Sequence, residues 1–113
     1  MKILMTIFLG LTLLSSIDTN AQNVETLKFE VGGVCEMCKA RIEKALDVKG
    51  VKTAEYNLEN HECTVVYSKK KITEDQIHQL IADVGHDTPK VKATDEVYSN
   101  MHDCCKYREH EDH

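Results

Sequence analysis

The sequence predicts an α+β fold, a four-stranded antiparallel sheet with two helices on one face, and three observations predict it. Apolar residues alternate, as strand residues do, through Val24–Val31, Lys52–Leu58 and the run Cys63, Val65, Tyr67. They recur at helical spacing at Cys38, Ile42, Ala45 and Leu46, and again at Ile77, Leu80, Ile81 and Val84. Glycines punctuate these runs at Gly32-Gly33, Gly50 and Gly85.

Taken in order, the first strand places Leu27, Phe29 and Val31 on one face, and Gly32-Gly33 ends it. The first helix follows from Cys38, with Lys39, Arg41, Glu43 and Lys44 mostly outward, and Gly50 closes that unit. The second strand turns Ala54, Tyr56 and Leu58 inward. Glu59-Asn60-His61-Glu62 reads as a hairpin turn into the third. Lys69-Lys70-Lys71 is a solvated connection. Thr73 with Gln76 forms a capping-box pattern that starts the second helix, and Gly85 stops it. Pro89–Ala93 is expected as a short fourth strand, at an edge because of its proline. The order βαββαβ is the ferredoxin-like, split βαβ arrangement. It brings three loops to one end of the sheet: Gly33–Cys38, the turn at His61, and Gly85-His86-Asp87.

The chain begins with one basic residue, Lys2, then an apolar stretch Ile3–Leu14, then small and polar residues to Ala21. This reads as a secretory signal peptide cleaved after Ala21. The stretch is shorter than the ~20 residues a membrane-spanning helix needs. The expected organisation is a signal peptide at 1–21, a domain at 22–93, and a short helix with a Cys/His-rich tail at 94–113. The mature protein is then periplasmic or secreted, without a membrane span, and is expected to be a monomer. A net charge of −5, no tryptophan and no basic patch with interleaved aromatics exclude nucleic acid as a partner.

Five cysteines in an exported chain would ordinarily suggest disulfides. The count is odd, however, and Cys35/Cys38 and Cys104/Cys105 are each too local to staple a fold. The cysteines read as chemical, not structural. Two thiols three positions apart, in a glycine-opened loop before a helix, can grip one soft metal ion or form one small disulfide.

With these elements in place, the chain resembles the heavy-metal-associated domain family, the small domains of copper chaperones, metal-exporting ATPases and periplasmic mercury-binding proteins. The resemblance rests on Phe29-x-Val31-x-Gly33, the CxxC, Arg41-Ile42-Glu43-Lys44-Ala45-Leu46, Gly50-Val51, Asn57-Leu58, Val65-x-Tyr67 and Ala82-x-x-Gly85. It covers Val24 to about Ala93. The family usually reads Gly-Met-Thr-Cys before the first thiol, where this chain has Gly33-Val34-Cys35, one residue shorter. The resemblance implies a protein that is not an enzyme. It would carry monovalent copper, or another soft ion such as Hg, Cd or Zn, to a membrane metal transporter or efflux component. The chemistry suits the residues, because thiolates prefer soft ions and a helix N-terminus favours negative charge. Zn(II) prefers four ligands, so two cysteines alone hold it less well.

Cys35 and Cys38 are therefore the expected metal ligands. His86, in the loop facing them, is a candidate auxiliary ligand or tuning donor, the alternative being a surface histidine. His61 reads as a solvated turn residue, Met37 as an exposed or docking residue, and Cys63 as a buried inert thiol. In the tail, a short helix capped by Thr94 or Asp95 precedes His102, Cys104, Cys105 and His110, with His113 at the end. That composition suggests a second soft-metal site or an arm that completes the first, against a disordered polar tail with incidental thiols. The rival function is a periplasmic thiol–disulfide oxidoreductase using the same CxxC. The chain lacks a Trp before the motif and a Pro inside it, and has few elements for a thioredoxin-like fold.

Overall fold

The computed structural model describes residues 23–109. Its centre is strand β3 (Glu62–Ser68), flanked by β1 (Val24–Glu30) and β2 (Val51–Asn57) in an antiparallel sheet of order β1-β3-β2. The β-branched and aromatic run Thr64-Val65-Val66-Tyr67 suits this central position. The register sets Phe29 and Tyr56 on either side of Cys63, and Leu27 and Ala54 on either side of Val65. One face of the sheet is thereby apolar. Helix α1 (Glu36–Ala45) contributes Ile42, with Leu46 just beyond its end, and helix α2 (Glu74–Asp83) contributes Ile77 and Ile81, to one core with that face. Both helices thus cover the same side of the sheet, as the periodicity predicts. No helix among the described residues is long and apolar enough to cross a membrane. The expected signal peptide, 1–21, lies outside the described residues, as do His110 and His113.

Helix α2 begins with the expected capping box. The Thr73 hydroxyl accepts from the Gln76 N–H at 3.1 Å, and the Gln76 side chain accepts from the Thr73 N–H at 2.9 Å. It ends in a Schellman motif. The Gly85 N–H donates to Ala82 O and the His86 N–H to Ile81 O, with Gly85 at φ +109°. That positive φ is why glycine stands there, and it turns His86 back into the molecule.

The fourth strand does not form among the described residues: the sheet has three strands, and Pro89–Ala93 is a turn and irregular chain. Its backbone donors are captured by nearby side chains. The Thr88 hydroxyl accepts from the Lys90 and Val91 N–H groups at 3.2 and 3.0 Å, and Asp87 Oδ1 accepts from the Ala93 N–H at 2.8 Å. Thr88 is itself held by buried His78, whose Nδ1 lies 2.7 Å from its hydroxyl. One backbone bond, Gly32 N–H to Asp87 O at 3.0 Å, ties this segment to the chain leaving β1. The segment's donors are thus met by local side chains in place of a strand's ladder.

The tail folds back onto the domain. Thr94 caps α3 (Asp95–Ser99), and two single 3-10 turns follow, Asp103–Cys105 and Tyr107–Glu109. Tyr107 is buried. Its hydroxyl donates to Gly85 O at 2.7 Å and accepts from the Asp87 N–H at 2.8 Å. Its ring lies so close over Gly32 that a Cβ there would collide with the ring carbons. Arg108 grips both Asp87 oxygens at 3.0 and 2.8 Å and also reaches Ala93 O and Asp95. Tyr98, Met101, Cys105 and Tyr107 form a second small core with Cys38, edged by Val34 and Cys35.

Tyr107→Phe keeps the ring but strands Gly85 O and the Asp87 N–H in a buried setting. It is expected to lower unfolding free energy by about 1–3 kcal/mol in urea titration. An unchanged midpoint would show that water replaces the hydroxyl without loss. A second expectation concerns acid. Burial raises the Asp87 carboxyl, but Arg108 and the Ala93 N–H outweigh it and hold it below the ordinary carboxylate range. A lowered native pKa means that the ionised group adds stability above its unfolded value of about 3.9, and that this is lost as pH falls through the native pKa. The stability gap between the wild type and Asp87→Asn should therefore be constant near neutrality and close below about pH 4. A gap independent of pH down to acid unfolding would contradict the ion pair.

Candidate metal centre

The thiol pair is placed by the turn from β1 into α1. Cys35 is the N-cap of α1, extended at φ −146°, and its side chain makes no capping bond. Cys38 is the third residue of the helix proper, one position where an N-cap side chain naturally meets the helix. The two Sγ atoms consequently lie 3.3 Å apart. The expected helix start, at Cys38, is thus moved back to Glu36, and both thiols belong to its first turn.

The loop beneath is braced by three side chains from elsewhere. The buried Tyr56 hydroxyl donates to Val31 O at 2.6 Å and lies 3.2 Å from Gly33 O. His61 Nδ1 lies 2.8 Å from Gly33 O, and His86 Nδ1 lies 2.7 Å from Gly32 O. A carbonyl only accepts, so both Nδ1 atoms carry the proton. His61 is accordingly a brace with φ +62°, and not the solvated turn residue expected from its position. His86 is fully buried, stacked on Tyr107 at 5.4 Å, and burial pushes its pKa down to about 4, so it is neutral.

Burial raises the Cys35 thiol, but bonds from Cys38, Cys105 and Cys104 outweigh it and bring its pKa to about 7. Burial, with the neighbouring thiols Cys105 and Cys35, pushes Cys38 up to about 12. The pair therefore offers one ready thiolate and one thiol that surrenders its proton to an incoming ion.

The tail brings two more sulfurs to the same place. Cys105 Sγ lies 3.3 Å from Cys35 Sγ, and Cys104 Sγ lies 3.6 Å from it. The Sγ atoms of Cys35, Cys38 and Cys105 all fall within 4.8 Å of one another. Exposed Cys104 also reaches Met37 Sδ at 3.6 Å and Cys105 at 3.9 Å, and its bond to Cys35 holds its pKa up at about 11. Met37 is exposed, as expected. His86 and His102 are not members of the three-sulfur group: His86 faces Gly32 and Tyr107, and His102 is exposed at the head of the first 3-10 turn. Cys63 is fully buried in the main core, where burial pushes its thiol up to about 12. Arg41, which helical spacing places outward, instead turns to the sulfurs of the tail. Its Nη1 donates to Cys105 Sγ at 3.3 Å and to Met101 Sδ at 3.5 Å. Its spacing from Cys38, three residues along the helix, was the available signal.

A helix N-terminus carrying a thiol pair at the edge of a small α+β sandwich defines a thiolate-type metal-binding domain. The chain belongs to the heavy-metal-associated domain family, whose model matches residues 28–87. It is 40% identical over 57 residues to the copper chaperone CopZ of Staphylococcus aureus strain MRSA252, spanning 50% of this chain and 84% of that protein. It is 32% identical over 78 residues to a zinc-transporting ATPase of Synechocystis sp., 67% of this chain but 11% of the ATPase. A solved CopZ metallochaperone superposes with TM-score 0.55 at 35% identity, covering 57% of this chain and 98% of the other. Oxidized MerP from Ralstonia metallidurans CH34 shares the fold, with TM-score 0.55 at 24% identity over 57% of this chain and 93% of MerP. The family match ends at Asp87, so Cys104, Cys105 and Arg108 lie beyond it.

The thiol environments predict an order of reaction. At pH 7.5, substoichiometric iodoacetamide should label Cys35 first and Cys63 last, and the Cys35 rate should rise with pH through about 7. Peptide mass mapping reads the order, and preferential labelling of exposed Cys104 would contradict it.

Proposed function

We propose that this protein is an exported soft-metal carrier, and not an enzyme, which takes up Cu(I) between Cys35 and Cys38 and delivers it to a membrane transporter or efflux component. The observation that carries this reading is the pair of sulfurs 3.3 Å apart at the start of α1, one of them half-exposed with a pKa near 7. Thiolates favour Cu(I) over hard ions, and few ligands suffice for it. Hg(II) fits the same pair, whereas Zn(II) and Cd(II) ask for more donors than two cysteines supply. The similarity to a copper chaperone and to part of a zinc-transporting ATPase supports a membrane metal transporter as the partner. Transfer then needs no redox step: a partner thiolate forms one metal–sulfur bond as one to this protein breaks. The apolar N-terminal stretch Ile3–Leu14 supports export to the periplasm or beyond.

The low pKa of Cys35 beside a second thiol also suits thiol–disulfide exchange. Anaerobic titration of the reduced protein with Cu(I) against a competing chelator separates the two readings. One tightly bound ion, lost in Cys35→Ser/Cys38→Ser, is the expected result. Failure to bind Cu(I), with catalysis of insulin reduction, would replace the carrier by an oxidoreductase.

A further inference from the structure

We propose that Cys105 is a third ligand to the ion, and that the tail carrying it is a latch that turns an open two-thiolate site into a closed three-thiolate one. This rests on the carrier reading above and goes beyond it in coordination number and in how the ion is released. Three observations converge on it.

The first is reach. Cys105 is fully buried against Cys38, its sulfur is as near Cys35 as Cys38's is, and the three sulfurs already surround a common point. With metal–sulfur bonds of about 2.3 Å, two thiolates in line with an ion stand about 4.6 Å apart, and three in a plane around it about 4.0 Å apart. The 3.3 Å pairs therefore need less opening for the trigonal arrangement than for the linear one.

The second is anchorage. Residue 105 is pinned on both sides. Met101 packs against Gly85, where a Cβ would meet its sulfur at 2.7 Å. Tyr107 and Arg108 close on Gly85, Asp87 and Ala93 through five hydrogen bonds of 2.6–3.0 Å. A tail attached this firmly presents its thiol at a set position, at little entropic cost to binding.

The third is charge. Three thiolates around one Cu(I) leave a net charge of −2, and the Arg41 guanidinium, 3.3 Å from Cys105 Sγ, stands where it offsets part of this. No carboxylate forms an ion pair with Arg41 among the described residues, so its charge is available to the sulfurs.

A closed site holds its ion against exchange, because an incoming thiolate must first take the place of Cys105. One metal–sulfur bond forms as the Cys105 bond breaks, and no electrons change hands. Release is then governed by the tail. Loosening the Arg108–Asp87 pair should speed it, while Cys35 and Cys38 still hold the ion.

The test uses the full mature chain loaded with one equivalent of Cu(I) without oxygen. X-ray absorption counts the sulfurs, and transfer to a Cu(I) chelator reports release. Expected are three sulfurs in the wild type and in Cys104→Ser, two in Cys105→Ser, and release about 10-fold faster in Arg108→Gln, which retains every thiol. Far-UV circular dichroism and thermal melts confirm that each variant folds. Two sulfurs in the wild type, or three in Cys105→Ser, would overturn the proposal and leave the Cys35/Cys38 carrier standing. Three in Cys105→Ser with two in Cys104→Ser would assign the third ligand to Cys104 instead. Retention of Cu(I) by Cys35→Ser/Cys38→Ser would instead sink the carrier reading itself.

Discussion

Where the chain leaves β1 for α1, three successive carbonyls, those of Val31, Gly32 and Gly33, turn inward, and a buried carbonyl without a donor is costly. Each is met by a different part of the molecule. Tyr56, from β2, donates to Val31 O, His86, from the end of α2, serves Gly32 O, and His61, from the β2–β3 turn, serves Gly33 O. The placement of Cys35 and Cys38 depends on this arrangement, because the loop cannot shift without breaking bonds to three separate elements. It also accounts for His86. A ring that donates from Nδ1 to a buried carbonyl, neutral at any physiological pH, is a support for the thiol loop. The Schellman turn at Gly85 aims it there.

The same supports carry the tail. Tyr107 lies on His86 and on Gly32, and its hydroxyl binds the backbone on both sides of His86. The second small core is therefore built on the thiol loop's own scaffold, and Cys38 and Cys105 belong both to it and to the three-sulfur group. Displacing the tail would expose Cys38 and leave Asp87 facing solvent without its guanidinium. Metal chemistry and folding are coupled here by contact, since the residues that bury Cys38 are those that bring Cys105 to it.

Much of this was legible in the chain. The strands, helices and capping box followed from period and from Thr73/Gln76, because a half-buried strand and an amphipathic helix write their burial locally. The thiol pair stood out for the same reason. The loss of the expected edge strand at Pro89–Ala93 is not written in its own residues, because it is Asp87 and Thr88, just before it, that capture the donors a ladder needs. The tail's docking was not legible, since its partners are distant in sequence: Arg108 with Asp87, Tyr107 with Gly85, Arg41 with Cys105. His61 hid in a turn that composition alone marked as solvated. Side-chain bonds between remote elements leave no periodic trace, and the site's supports are all of that kind.

The odd cysteine count also finds a physical explanation. Cys63 sits across from Phe29 and Tyr56 in the central strand, with no exposed surface and a pKa near 12, so it acts as a small apolar side chain. The other four sulfurs gather at one end of the sheet, in two neighbouring pairs that are 70 residues apart for Cys35 and Cys105. Adjacent cysteines such as Cys104 and Cys105 cannot both face inward on a tight 3-10 turn: here Cys105 is buried and Cys104 exposed. The pair thus divides into one inward sulfur, held beside Cys35 and Arg41, and one outward sulfur beside exposed Met37. An incoming thiol would meet the outer sulfur first. The chain therefore presents a graded set of donors, from the solvent edge at Cys104, through Cys35, to the enclosed Cys38 and Cys105.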